Sequence, residues 1–282
     1  PHAQPHQPLA DGERGGALQD GALRGCGGHL RPPGALRYNV SQFKNRKAAA
    51  VGTVILACNT IRSELEKAVA DTKCAHSFVW VESGLHLVPD SLRKRLQEEL
   101  DRIDGVDRVL LAFGFCGNAV AGLKTGGYQL VIPRVDDCIT LLLGSKEARE
   151  RCNRHGGVYF LTKGWLEGEV NIWKEYQAVL ARFGPERTKR IYQRILAHYK
   201  FLALIDTGAY DLPSLIPHAR DISATLNLEL RILQGTDFYL KKFLLGPWND
   251  DDFVIIPPFT TIELTHLGFD STFRPSSIQA AI

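Results

Sequence analysis

Methionine is missing from all 282 residues, position 1 included. The first 37 residues also contain no Ile, Val, Phe, Tyr or Trp, although they hold eight Gly and five Pro. Such a stretch cannot bury enough apolar surface to repay its ordering entropy. Together the two absences read as a mis-assigned or artificial leader, with the native protein expected to start near Tyr38–Val51. No apolar run reaches the ~20 residues of a membrane span, which predicts a soluble protein. Charge of one sign is also lacking, with Lys+Arg at 34 against Asp+Glu at 31 and no basic cluster, so nucleic acid is a poor partner. No CxxC pair occurs among the six cysteines, which excludes a zinc ribbon. With no apolar signal segment either, the thiols are expected to be reduced in a cytoplasm rather than joined in a disulfide framework.

From Val51 onward there is a regular alternation. Apolar runs at Val51–Ala57, Phe78–Val81, Val109–Phe113, Gln129–Ile132, Val158–Leu161, Leu202–Ile205, Leu228–Leu233 and Phe253–Ile256 read as strands. Ser91–Ile103 places Leu92, Leu96, Leu100 and Ile103 on one helical face. Pro185 opens another helix, just after Gly184 ends the one before it, and Ile191, Ile195, Leu196 and Tyr199 form its inner face. The expected fold is α/β, with mostly parallel open sheets joined by right-handed crossovers. Eight strands also admit a barrel or two or three pseudo-repeated Rossmann-like units, and open sheets are favoured. The division expected is a leader over 1–45, an α/β domain over 46–265 (sub-units 46–104, 105–156 and 157–265) and a tail over 266–282.

Three cysteines follow strands. Cys58 ends VILAC, Cys116 lies in GFCGN and Cys138 in PRVDDC, each ahead of a helix-like stretch. Ligands in open α/β sheets collect outside the carboxyl ends of the strands, so these thiols are expected to meet. A helix N-terminus after Cys58 favours its thiolate. Gly114 and Gly117 allow Cys116 a tight loop, and Asp136 or Asp137 can cap the helix at Cys138. A free cysteine is as often core filler, and Cys26, Cys74 and Cys152 lack the strand-end context. Three distant thiolates suit a metal with an open position. A four-iron four-sulfur cluster lacking its usual fourth cysteine is favoured over zinc; without metal, a cysteine nucleophile remains open.

Polar residues at other strand ends complete the candidate site. His86, Asp136, Asp137 and Asp206 are the acid/base candidates. Arg134, Gly117, Asn118, Lys163, Trp165 and Thr207 are the substrate-binding candidates. Each has a structural alternative: a backbone-bonded His, a capping Asp, an ion-paired Arg, a packed Trp. GFCGNAVAG lacks the G-x-G-x-x-G spacing, and neither NAD nor ATP is inferred.

The ordered set LAC, SGLH, FGFCGN, IPRVDDCITLLLGS, YFLTKGW, HYKFLALIDTG and GPWNDDDFVIIPP resembles one family of unknown function, the domain family sixteen thirty-eight, over roughly Val51 to Pro258. The resemblance puts motif positions on Cys58, His86, Cys116, Gly117, Arg134, Asp136, Asp137, Cys138, Gly144, Gly164, Trp165 and Asp206. The chain departs from that pattern at Lys163, where a proline is expected, and at Phe259, where a glycine is expected. The resemblance implies a link to methyl-group or corrinoid metabolism, with a corrinoid or methyltransferase protein as partner. The expected function is a metal-dependent enzyme, a lyase or transferase acting on a small polar or anionic substrate. The architecture also resembles quinolinate synthase, whose single cysteines from α/β units share one cluster. The alternatives are a metal- or corrinoid-binding accessory for methyltransferase maturation, and a scaffold with structural cysteines.

Overall fold

The computed structural model describes residues 52–249 and 251–269. The leader, Cys26 and the tail beyond Phe269 lie outside the described residues. Among the described residues, eight strands and eight α-helices follow in the order β1 (Thr53–Cys58), α1 (Arg62–Thr72), β2 (Ser77–Val81), α2 (Pro89–Leu100), β3 (Arg108–Ala112), β4 (Gln129–Pro133), α3 (Cys138–Leu143), α4 (Lys146–Asn153), β5 (Gly157–Leu161), α5 (Lys163–Glu167), α6 (Ile172–Ile195), β6 (Tyr199–Asp206), α7 (Leu212–Leu226), β7 (Glu229–Gln234), α8 (Phe238–Leu245) and β8 (Phe253–Ile256). All eight expected strands are present, and the α/β reading holds.

The strands form two open sheets. The larger has the order β2-β1-β3-β4-β8, parallel except for antiparallel β8, and the smaller has the order β5-β6-β7, all parallel. The inner strands read as unbroken apolar runs because helices cover both of their faces. Ile55, Leu56, Val109, Leu110, Leu111, Leu130, Val131 and Ile132 are all fully buried, and side chains of this size each contribute about 1.5–3 kcal/mol on burial. Tyr239, Leu240, Phe243 and Leu244 of α8 pack into this first core together with Phe253. The chain therefore leaves the large sheet after α3, builds the small one, and returns.

Two local expectations are corrected. Helix α6 breaks at Gly184 (φ 72, ψ 171) as its Gly-Pro pair requires, and beyond the break Thr188 and Tyr192 are buried. Leu196 is buried and Ile191 packs against the same core as expected, whereas Ile195 is exposed and Tyr199 already belongs to β6. The expected uninformative tail starts too early: Leu267 is buried and the Phe269 ring meets Phe115 edge-on at 6.1 Å.

Candidate functional site

The four parallel strands of the large sheet end on one edge, and the loops beyond that edge carry the thiols. After β3 the chain runs alongside the loop after β4: the Phe115 amide donates to the Val135 carbonyl at 2.8 Å, and the Cys116 amide to that of Asp136 at 2.9 Å. This pairing needs Gly114, where any Cβ would fall 2.4 Å from the Asp137 Cα. Beyond it, Cys116, Gly117 and Asn118 take three consecutive left-handed conformations, with φ of 45, 65 and 67. Such a conformation costs a non-glycine residue roughly 1–2 kcal/mol, so the loop is held by its surroundings.

Cys138 opens α3, which Asp137 caps by accepting the Thr140 amide at 3.0 Å. The other Asp137 oxygen pairs with Arg149 at 2.8 Å. Both oxygens of Asp137 thus serve the fold. Gly144 closes α3 in a left-handed turn (φ 86).

The three thiols lie in one neighbourhood, with Cys138 near enough to both Cys58 and Cys116 for each to bear on its ionisation. Cys58 donates to Thr60 Oγ1 at 3.1 Å. Cys58 and Cys138 are buried and Cys116 is half-buried. The expected helix-favoured thiolate at Cys58 is not found. The Cys138 thiol and burial push the Cys58 thiol well up, and Cys116 and burial do the same for Cys138. Desolvation of a charged sulfur outweighs the partial charge at a helix start. Among the described residues, no group of three or more His, Cys, Asp or Glu side chains is arranged ready to hold a metal ion.

The remaining candidates divide. Asp136 lies exposed beside the thiols and Arg134 sits half-buried two residues before it, where the Arg134 amide donates to the Asp252 carbonyl at 2.8 Å. His86 falls in a single 3-10 turn, Leu85–Leu87, and its side chain lies outside what the structure describes. Lys163, Trp165, Asp206 and Thr207 stand instead at the carboxyl edge of the small sheet. Asp206 accepts the Gly208 amide at 3.1 Å in a local turn. Trp165 packs against all three hydrophobic clusters of the molecule.

The two carboxyl edges face each other across the turn Asn59–Ile61. Gly164 makes this possible, since a Cβ there would lie 1.8 Å from the Thr60 carbonyl oxygen. Between the edges is a cleft of about 340 Å3 lined by Asn59, Arg62, Glu82, Lys163, Glu167 and Glu169, among others. Lys163 pairs with Glu167 at 2.7 Å, and Arg62 lies 4.2 Å over the Trp80 ring.

Sequence reasoning missed one residue here, Glu64. It is 1% exposed, in the first turn of α1, and accepts a hydrogen bond from Thr207 Oγ1 at 3.2 Å. Its Oε2 and the hydroxyl of Thr162 are buried without a hydrogen-bond partner. Burial pushes the Glu64 carboxyl up, against the smaller effects of the amide, Thr207 and Lys163. Nothing in an amphipathic helix start marks such a glutamate, because its burial comes from the second sheet.

Fold and site together define an α/β protein with two facing sheets and a three-thiol cluster at the carboxyl edge of the larger. The family described as "Protein of unknown function (DUF1638)" matches residues 80–244. The chain belongs to that family, and Cys116 and Cys138 lie inside the matched stretch while Cys58 precedes it. No curated protein and no solved structure matches the chain.

Proposed function

We propose that the chain is a metal-dependent α/β enzyme whose Cys58, Cys116 and Cys138 hold a thiophilic metal centre, an iron–sulfur cluster in preference to zinc. One observation carries this reading: three thiols follow three separate strand ends of the large sheet, with Cys138 near enough to the other two for each to bear on its ionisation. The donor set suits such a metal chemically, since soft sulfur ligands select zinc or iron–sulfur. Cys58, Cys116 and Cys138 would hold the centre as thiolates, so binding would release their protons. When bound, the centre supplies a Lewis acid or template for a small polar or anionic substrate in a lyase or transferase reaction.

The chain's own residues set the approach. Cys58 and Cys138 form the closed inner wall, and half-buried Cys116 is the outer one. Gly117 and Asn118 hold it there through their left-handed turns. Exposed Asp136 is placed to move a proton, while Asp137 fixes the start of α3. Among the described residues no helix is long and apolar enough to cross a membrane, and a reduced cytoplasm is the setting in which free thiols persist. A corrinoid or methyltransferase protein is the partner to examine first.

Anaerobic purification followed by iron, sulfide and zinc analysis tests this. The expected result is stoichiometric metal that is lost in Cys138→Ser and kept in Cys74→Ser, with both variants folded by circular dichroism. A wild-type chain that takes up no metal even after anaerobic reconstitution overturns the reading.

A further inference from the structure

Four strands stand at the edges of the two sheets: β2 and β8 of the larger, β5 and β7 of the smaller. An open edge offers backbone groups to any strand that reaches it, and folded proteins blunt such edges with prolines, bulges or brevity. β8 has four residues and runs into Pro257 and Pro258, and β5 is irregular in register at Gly157/Val158. β2 has five residues and carries no exposed large apolar side chain. β7 is built differently. Its six residues, Glu229–Gln234, pair in unbroken parallel register with β6, contain no proline, and carry Ile232 at 44% exposure. Among the described residues, no strand lies on its other side.

The side chains along this edge are complementary to themselves. Leu228 and Leu230 pack in one apolar cluster with Ala219 and Ile222 of α7, and the two-residue period puts Ile232 on their face. On the opposite face the Arg231 guanidinium lies 3.3 Å over the Phe201 ring and pairs with Glu229 at 3.4 Å. Both charges are thus held in place beside the edge. When a strand pairs antiparallel with its own copy about a two-fold axis, opposed residues share a face, so the axis passes through a residue. An axis at Glu229 or at Arg231 opposes like charges, and one at Ile232 sets Arg231 against Leu233. An axis at Leu230 sets Glu229 of each copy against Arg231 of the other, and Ile232 of each against Leu228 of the other.

We propose that β7 is a self-association edge, at which two copies of this chain pair β7 to β7 about a two-fold axis at Leu230 and form one six-stranded sheet. Opposite charges directly across two strands add to the stability of the ladder, and like charges subtract from it. One short strand from each copy makes a small interface, which belongs with weak, concentration-dependent associations. The proposal stands apart from the metal reading, because β7 lies in the small sheet and the three thiols follow strands of the large one.

Sedimentation of the full chain at rising concentration, with hydrogen exchange read on the same samples, tests this. A monomer–dimer equilibrium is expected, with protection gained at residues 229–234 and not on β2, β5 or β8. Glu229→Arg and Arg231→Glu each place like charges across the axis at two positions, and each should weaken association at least about tenfold. An equimolar mixture of these two variants restores opposite charges at both positions and should recover association, which local unfolding would not do. Ile232→Lys should weaken association to a similar degree and leave the melting temperature of the monomer unchanged, since the side chain is already exposed. Should a charge variant fail to fold, Ile232→Lys and the wild-type exchange map still decide. A chain that stays monomeric at every concentration overturns the proposal, as does protection gained on another edge or a mixture that associates no better than its components. A β7 already protected in the monomer overturns it too, because another part of the chain then occupies the edge.

Discussion

Glu64 shows how far one residue's environment departs from its sequence. Burial raises its folded carboxyl above the ordinary value of 4.5. A group raised in this way gives its full stabilisation below the unfolded value and loses it as pH climbs through the raised one. Stability from Glu64 should therefore fall as pH rises from about 4.5. Glu64→Gln keeps an acceptor for Thr207 and removes the ionisation, so its melting curve should be flatter with pH and higher than wild type at pH about 8. Parallel curves for the two proteins would count against the assignment. Phe259 is the converse case, a residue spared any burial. Its side chain is 83% exposed on a left-handed backbone of φ 55, a conformation that glycine adopts without cost. Phe259→Gly should stabilise by about 1 kcal/mol, measured by denaturant midpoint. No change would mean that the loop relaxes at little cost.

At the level of elements, the site depends on short caps and close approaches. Helix α3 is six residues long and relies on Asp137. Asp137→Asn keeps the capping acceptor and should cost little, whereas Asp137→Ala should cost about 1–2 kcal/mol and slacken Cys138. Chemical denaturation of both variants separates a capping role from a charge role. The junction of α5 with the turn after β1 tolerates even less. A methyl group at Gly164 would overlap the Thr60 carbonyl, so Gly164→Ala should destabilise by about 3 kcal/mol or more and raise alkylation of Cys58. Unchanged stability together with an unreactive Cys58 would show that the turn moves freely. Lys163 stands at the first position of α5, where proline would be equally well tolerated.

The whole molecule is two sheets whose carboxyl edges are pressed together, with Trp165 shared by all three apolar clusters. Trp165→Ala should cost about 3 kcal/mol and split the unfolding transition into two, visible by hydrogen exchange as early opening of residues 157–234. A single, merely shifted transition would mean that other contacts hold the sheets. Across the back, Lys67 and Lys241 alternate with Asp71 and Asp237 at 2.7–2.8 Å between α1 and α8. The two lysines hold the Asp71 carboxyl down at about 2. That ring ties the returning C-terminal segment to the large sheet.

The strand and helix order was legible because each period of apolar residues has one local explanation: a continuous run for a strand covered on both faces, a 3.6-residue stripe for a helix. The strand-end position of Cys58, Cys116 and Cys138 followed from the same pattern, as did the need for Gly114 and the capping aspartate. On α6 the apolar stripe after Gly184 faces the core at Ile191 and Leu196, whereas Ile195 is left exposed. Two features required the tertiary structure. One is the approach of Cys116 to the start of α3, which depends on the loops after β3 and β4 pairing side by side. The other is the buried Glu64–Thr207 contact, made by residues 143 positions apart on different sheets. A sequence pattern records what each segment buries; it carries no information about which distant segment does the burying.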